Sequence, residues 1–405
     1  MGGAVSKQIL WSIFDAGSAH GYDTHDYRRV DPAFGDSAVL AALLAGAHAR
    51  GMRIIWDFVP NHVGLGHHAF QDALAGGEAS PYWDWFTFHV PADQVQAGNA
   101  DHYAAWWGFG SLPELETTNP EVIEHLMDVV RHWTEFGFDG IRVDVPGDVE
   151  NGLAFFREFR ETAKAIDPDV YLIGEIWERD AGWLQGDRFD ALMNYAVGQG
   201  VVAAFASGAL PAPLAARELA GVYTEYPEAA AAMLFNVIAT HDTDRLLTMM
   251  GGGELGATAS ATAIARQRLA AAFLFALPGM PVTFQGDECA FLGGSAGRHT
   301  ARYPLQWDAC DDATAAFYAT LADAKRTLPA LASPALRAPA ADGALLSFRR
   351  GEPGPGEILA LFNAAATAAT ASLPEGSWTD GITGEAVAGG TVGVEAFGWR
   401  YLVRE

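Results

Sequence analysis

Positive charge, cysteine and long apolar runs are all scarce in this 405-residue chain, and each scarcity excludes something. Three lysines and 22 arginines face 50 acidic residues, for a formal charge of −25. A field of that sign repels phosphate backbones and anionic headgroups, so nucleic acid and membrane surfaces are excluded as main partners. Two cysteines, Cys289 and Cys310, are too few for a disulfide framework, and both are expected as buried thiols. No apolar run approaches the roughly 18 residues of a membrane span. Residues 1–12 lack the charged-then-apolar order of a secretory signal, so the cytoplasm is the expected compartment as far as this front goes. Apolar and aromatic residues are plentiful: half the chain is hydrophobic, with 12 Trp, 11 Tyr and 23 Phe, enough to bury a large core.

Short apolar runs ending in polar residues alternate with longer amphipathic stretches, the pattern of repeated βα units and a parallel sheet. Strands are expected at residues 9–14, 53–58, 140–144, 171–175, 189–193, 234–240 and 280–285, and helices at 37–50, 120–136, 153–165, 258–275 and 313–327. Beyond about Leu336 the texture changes to alternating strands and Gly/Pro turns, as in "LLSFRR", "EILALFN" and "GWRYLV", which predicts an antiparallel β domain over 335–405. Spacing supports a barrel over 1–334, because polar strand ends should recur every βα unit, a little over 30 residues. Asp144 and Glu175 are 31 positions apart, one unit; Glu175 and Asp242 are 67 apart, two units. Asp57 and Asp144 are 87 apart, which leaves room for a long aromatic-rich excursion at about 62–118.

Four strand ends bring polar residues to one expected rim: Asp57 with Asn61 and His62, Arg142 with Asp144, Glu175, and His241 with Asp242. The carboxyl-terminal rim of a parallel barrel is where active sites sit. Four carboxylates, an arginine and two histidines suit glycoside hydrolysis, in which one ionised carboxylate attacks the anomeric carbon and a second protonates the leaving oxygen. Arg142 lies two residues before Asp144, so both side chains share one face of a strand, and the guanidinium is expected to keep Asp144 ionised. Each residue alone has a plain structural explanation: a strand-end Asp caps the next helix, a histidine is a hydrogen-bonded core residue, an Arg beside an Asp is a salt bridge. Joint occurrence at one rim favours chemistry.

These residues resemble the α-amylase family, glycoside hydrolase family 13. "DFVPNH" at 57–62, "GFDGIRVD" at 137–144, "GEIW" at 174–177 and "HD" at 241–242 are similar, in order, to its four signature regions. "GYDTHDYRRVDPAFG" at 21–35, "PGMPVTFQGDE" at 278–288 and "RYPLQWD" at 302–308 add to the likeness. The resemblance implies Asp144 as nucleophile, Glu175 as general acid/base and Asp242 as the carboxylate that stabilises the transition state. It also implies that Arg142, His62 and His241 hold the sugar, that Tyr22 stacks beneath it, and that Asp57 is a structural member of the rim. Within the family, the 106–122 and 174–195 segments look most like the neopullulanase, cyclomaltodextrinase and maltogenic amylase group. That implies a retaining hydrolase or transglycosylase acting on α-1,4, and in some members α-1,6, links of maltooligosaccharides, cyclodextrins or pullulan. The chain departs from the group at Glu114, Thr240, Gly147 and Asp148, positions that bear on substrate choice.

Trp83, Trp85, Phe86, Tyr103, Trp106 and Trp107 of the excursion, with Trp177, are candidates to stack on sugar faces, although aromatics in a long loop mostly form its own core. No cofactor is required. Asn61 matches a position that helps bind structural Ca²⁺ in many family members, but the other ligands are not recognisable, so it is expected to be a hydrogen-bonding loop residue. A family barrel has eight strands and seven are found; residues 1–8 are too few for a first strand and helix, so the expectation is a (β/α)8 TIM-type barrel lacking its first βα unit. Two alternatives follow: a carbohydrate-binding barrel fragment with impaired catalysis, or an α-glucosidase or trehalose-forming isomerase with the same three carboxylates. Oligomeric state is not legible.

Overall fold

The computed structural model describes residues 6–297, 299–387 and 390–405. The chain folds as two compact units: the first runs to Ile176 and includes Gly182–Leu192, and the second comprises Trp177–Ala181 and Met193–Glu405. The change of texture at Leu336 falls inside the second.

In the first unit the strands are β1 (Ser6–Leu10), β2 (Phe14–Ala16), β3 (Thr24–Val30), β4 (Met52–Phe58), β5 (Gly140–Val143), β6 (Tyr171–Gly174) and β7 (Ala191–Leu192). Five of them form a parallel sheet in the order β1-β4-β5-β6-β7, and β2 and β3 pair antiparallel beside it in sequence. The strand expected at 9–14 is displaced. Its ladder runs from Ser6 to Leu10 against Met52 to Trp56, and the chain then leaves the sheet because Ser12 donates to the Gly21 carbonyl and Phe14 joins the β2–β3 pair. Of the front segment 1–8, residues 1–5 lie outside the described residues and the remainder belongs to β1.

Parallel strands need crossovers, and local capping chemistry starts them. Asp36 accepts from Val39 N at 2.9 Å to begin the helix Ser37–His48. Asn119 accepts from Glu121 N at 2.9 Å, with Pro120 at the first position, to begin Pro120–Phe136, which Gly137 ends at φ 111°. That helix buries Val122, Leu126, Val129, Val130 and Trp133, and the Trp133 indole donates to Tyr27 O at 2.7 Å. Gly140 opens β5 where a Cβ would meet the Tyr171 carbonyl at 2.7 Å, so only glycine lets β5 and β6 approach.

The excursion after β4 has its own core of Phe70, Trp85, Phe86 and Tyr103, and Trp83 lies flat on Phe88 at 3.9 Å. Trp107, by contrast, is 78 % exposed. The scarce lysines are all engaged: Lys7 Nζ sits 3.6 Å above the Tyr171 ring, Lys164 donates to Asp190 and to Val170 O, and Lys325 of the second unit donates to Leu277 O and Leu331 O.

The second unit contains the parallel pair β8 (Phe235–Val237) and β9 (Met280–Val282), with Met193 bridging Phe235 in parallel. Buried amides form a short ladder, Asn194 to Asn236 at 2.8 Å and Asn236 to Pro278 O at 2.7 Å. The helix Ala261–Ala276 starts from Ser260, which accepts from Ala263 N, and is buried over nearly its last two turns. After it come β10 (Leu336–Asp342), β11 (Leu345–Arg350), β12 (Ile358–Asn363), β13 (Ala369–Leu373), β14 (Trp378–Asp380), β15 (Ala386–Val387), β16 (Gly390–Val394) and β17 (Trp399–Arg404). Six form an antiparallel sheet in the order β10-β11-β12-β17-β14-β15, and β13 pairs with β16. Leu359, Leu361 and Leu402 from the larger sheet pack with Ala371, Leu373, Val392 and Val394 from the smaller. The other face of the larger sheet meets the helix Ala261–Ala276, where Phe273 stacks on Phe362 at 4.7 Å.

One expectation is overturned outright: Cys289 and Cys310 are not thiols but a disulfide, 21 residues apart in sequence. A single bridge needs no cysteine-rich framework, only a loop whose two ends meet. Among the described residues no helix is long and apolar enough to cross a membrane.

Candidate active site

In the first unit, strand register assembles the site. Asp57 in β4 pairs with Arg142 in β5, and the residues just past β5 and β6 are Asp144 and Glu175. Their amides extend the ladder, Asp144 N to Phe58 O at 2.8 Å and Glu175 N to Val143 O at 3.0 Å, so both carboxylates leave the sheet at the same edge. Arg142 is fully buried and touches all three acids: Nη1 donates to Asp57 at 2.7 and 2.9 Å and to Asp144 at 2.8 Å, and Nη2 lies 2.6 Å from Glu175 Oε2. Glu175 Oε2 also accepts from Val145 N at 3.2 Å, and Val145 takes the left-handed conformation, φ 36°, to present it. The Trp11 ring lies 5.2 Å from the guanidinium carbon.

One guanidinium among three carboxylates does not simply keep Asp144 ionised, as its position in the sequence implied. Burial lifts Asp144 well above the carboxylate range, and Glu175 and Asp57 add to the rise while Arg142 opposes it. Burial likewise pushes Asp57 up to about 6 against the pull of Arg142. Burial thus outweighs one shared guanidinium, and Asp57 and Asp144 hold their protons more readily than free carboxylates do.

Around this cluster, Tyr22 donates to Asp57 Oδ2 at 2.7 Å. Asn61 donates to Asp148 O at 2.8 Å and faces His62 Nδ1 through its oxygen at 3.2 Å. That amide is engaged at both ends, and among the described residues no three His, Cys, Asp or Glu side chains converge as a metal-binding group. Burial, with His20 nearby, holds His62 at about 3, so its imidazole is neutral at working pH. Its ring stacks on Trp106 at 5.1 Å, whose indole donates to Asp148 Oδ2 at 2.8 Å, and Trp106 stacks in turn on Trp107 at 5.2 Å. Two of the unusual positions thus lie at this stack: Asp148 anchors Trp106, and Glu114 bridges His62 through the backbone. Burial, Asp148 and Glu150 raise Glu114.

In the second unit, Asp242 is held from several sides. Its Oδ2 lies 3.0 Å from His241 Nε2, its Oδ1 accepts from Arg302 Nη2 at 2.6 Å, and its amide donates to Thr240 Oγ1 at 3.2 Å. Arg302 Nε also donates to His241 O at 2.9 Å. Thr240 lies 3.4 Å from the Tyr195 hydroxyl, and Trp177, 40 % exposed, lies flat on Tyr195 with ring centres 3.8 Å apart. Arg302 stands first in the "RYPLQWD" motif yet had no assigned role, because a motif match says nothing about a contact 60 residues away. The Trp106–Asp148 anchor was missed for the same reason; the departure at Asp148 was its one signal.

A family description, "Alpha amylase, catalytic domain", matches residues 9–329. The chain is 40 % identical over 305 residues to neopullulanase 2 of Thermoactinomyces vulgaris, covering 75 % of this chain and 49 % of that protein. It is 38 % identical over 305 residues to a cyclomaltodextrinase of Geobacillus thermopakistaniensis, with the same coverage. The chain thus spans about half the length of these curated relatives. Among solved structures, the type III pullulan hydrolase from Thermococcus kodakarensis superposes with a TM-score of 0.94 at 45 % identity, over 99 % of this chain and 68 % of that one.

Proposed function

The chain belongs to the α-amylase family, and from that premise we propose that it carries the catalytic machinery of a retaining α-glucan hydrolase or transglycosylase. One observation carries the proposal: Asp144 and Glu175, on adjacent strands, are clipped to the two terminal nitrogens of one buried guanidinium. Sharing a guanidinium favours the close spacing of a retaining pair, about 5 to 5.5 Å, over the about 6.5 to 9.5 Å of an inverting pair.

In the reacting state the cluster's proton rests on Glu175 and Asp144 is ionised; Asp144 attacks the anomeric carbon and forms a covalent β-glycosyl ester while Glu175 gives its proton to the leaving oxygen. Glu175 then takes a proton from water, or from an acceptor sugar, which attacks the same carbon and returns Asp144 as a free carboxylate. The family resemblance assigns Asp242 the role of stabilising the transition state. Arg142 orients the pair, neutral His62 and, beside Asp242, His241 hold hydroxyls, and Tyr22 and Trp177 offer faces to sugar rings. Asp57 supports the cluster as Arg142's innermost partner. The residues 1–334 act as the barrel of this catalyst, with the excursion at about 62–118 over its rim and 335–405 as a β domain.

The names of the relatives, neopullulanase, cyclomaltodextrinase and pullulan hydrolase, support α-1,4 links in maltooligosaccharides, cyclodextrins or pullulan as substrates, with α-1,6 links as a further class. The test is product analysis on maltotriose, panose, cyclodextrin and pullulan. The first-formed product should carry the α configuration, and Asp144→Asn and Glu175→Gln should each abolish turnover. A β product, or full activity in Asp144→Asn, overturns the proposal.

A further inference from the structure

If, as proposed above, Asp242 stabilises the transition state, its carboxylate must stay in one orientation through the reaction. We propose that Arg302 is the residue that positions it, acting from a covalently closed loop.

Arg302 grips two consecutive residues at once. Nη2 donates to the Asp242 side chain at 2.6 Å and Nε to the His241 carbonyl at 2.9 Å, so one planar fork fixes side chain and main chain together. The opposite carboxylate oxygen faces His241 Nε2 at 3.0 Å, which leaves the group little freedom to rotate. A surface salt bridge between two mobile side chains would carry little weight. This one differs because the loop that carries Arg302 is itself fastened at Gly293, Ser295 and Ala301 to the segment that carries Asp242.

The fastenings are explicit. Asp244 Oδ1 accepts from Ser295 N at 2.7 Å and Ser295 Oγ at 2.9 Å. Arg245 donates through its amide to Gly293 O at 2.9 Å and through Nη2 to Ala301 O at 2.8 Å, next to Arg302, and also to Gln285 O. Its guanidinium lies on the Phe284 ring at 4.7 Å, and Arg245 and Ala301 are both buried. Within the loop, Ala301 N donates to Gly294 O at 3.0 Å and Gly294 N to Thr300 Oγ1 at 2.8 Å. The Cys289–Cys310 bridge then closes the loop on both sides of Arg302. A side chain held this way loses little freedom when it holds another, which is the meaning of preorganisation.

The test uses the full chain and maltotriose, with kcat, KM and thermal unfolding measured for Arg302→Ala, Arg302→Lys and, in parallel, Asp242→Asn. Arg302→Ala should lower kcat by about 10- to 100-fold with KM changed by less than about 3-fold, the size of effect expected from a displaced catalytic group. Arg302→Lys should keep more of the activity, and added guanidinium ion at millimolar concentration should partly restore Arg302→Ala. Unchanged kcat in Arg302→Ala overturns the inference, as does a rise in KM alone, which would make Arg302 a substrate contact. A loss that follows the melting temperature and that guanidinium does not repair overturns it too. Full activity in Asp242→Asn refutes the role of Asp242 itself, whatever Arg302 does; an inactive Asp242→Asn beside a fully active Arg302→Ala refutes only the inference.

Discussion

Arg142 in the first unit and Arg350 in the second are both fully buried, and they are surrounded by opposite kinds of partner. Arg142 meets carboxylates, Asp57, Asp144 and Glu175. Among the described residues Arg350 donates only to main-chain carbonyls: Ala276, where the helix Ala261–Ala276 ends, Leu331, Ser333 and Ala335. Burial opposes the charge in both. The three acids overcome it and hold Arg142 well above its ordinary value, whereas Arg350, facing neutral dipoles, is pushed down to about 10. A carboxylate can change its protonation state during a reaction and a carbonyl cannot. The first arrangement is adjustable and suits chemistry; the second is a fixed staple that satisfies helix-end carbonyls.

The largest expected effect tests that contrast directly. Arg142→Met should lower kcat on maltotriose by about 10³-fold, the upper end for loss of a preorganised charge contact. Arg350→Met should leave kcat per folded molecule nearly intact and cost about 3 kcal/mol in urea unfolding, from carbonyls left without donors. Reversal of the two phenotypes would break the comparison.

The disulfide combines both roles, since it is scaffold by chemistry and lies around Arg302 by position. Replacing Cys289 and Cys310 together by serine reopens a loop of sequence separation 21, which chain entropy values at about 3 kcal/mol. The loss should show as a lower melting temperature, accompanied by a smaller fall in kcat than Arg302→Ala gives.

Smaller effects separate the units by pH. In the first, burial keeps His62 at about 3 and His125 at about 4, with His67 also well below 6.5. The unfolded chain takes up these protons first, so the associated stability is full above pH 6.5 and is lost as pH falls through about 4. In the second, burial raises Asp287 to about 7 against the pull of Arg245. Here the folded state holds the proton longer, so stability present below 3.8 is lost as pH rises through 7. Melting temperature against pH should show His125→Gln flattening the acid limb and Asp287→Asn flattening the neutral one.

The least effect concerns the aromatic stack. Asp148→Asn weakens the anchor of Trp106 and should raise KM for maltotriose by about 3-fold, in keeping with a stacking contribution near 1 kcal/mol, with kcat unchanged. A fall in kcat instead would place Asp148 nearer the chemistry than Trp106 does.

Much of the first unit was legible because local rules carry it. Residues 140–144 alternate so that Arg142 and Asp144 share a face, and unit spacing predicts that Glu175 ends the next strand; the ladder from β4 to β6 has that register. The C-terminal strands were legible from turns and alternation, although β12 is buried at all six positions because a helix covers one face and the smaller sheet the other. What escaped were contacts made only by tertiary folding. Cys289 with Cys310, Arg302 with Asp242 and Trp106 with Asp148 have no periodic signal, and each joins loops whose paths no local preference dictates. The displaced first strand failed for a related reason: residues 9–14 are apolar enough for either path, and the Ser12–Gly21 contact decides it.

The three lysines also set how the protein can be tagged. Lys325 is enclosed and bonded to two carbonyls, and Lys164 is bound to Asp190. Lys7, lowered by burial to about 8, stands over Tyr171. An acylating reagent used at pH 8 would therefore find Lys7 about half deprotonated and its two counterparts occupied. Among the lysine side chains it would therefore react first at Lys7, enough to attach a single probe without touching Asp144 or Glu175.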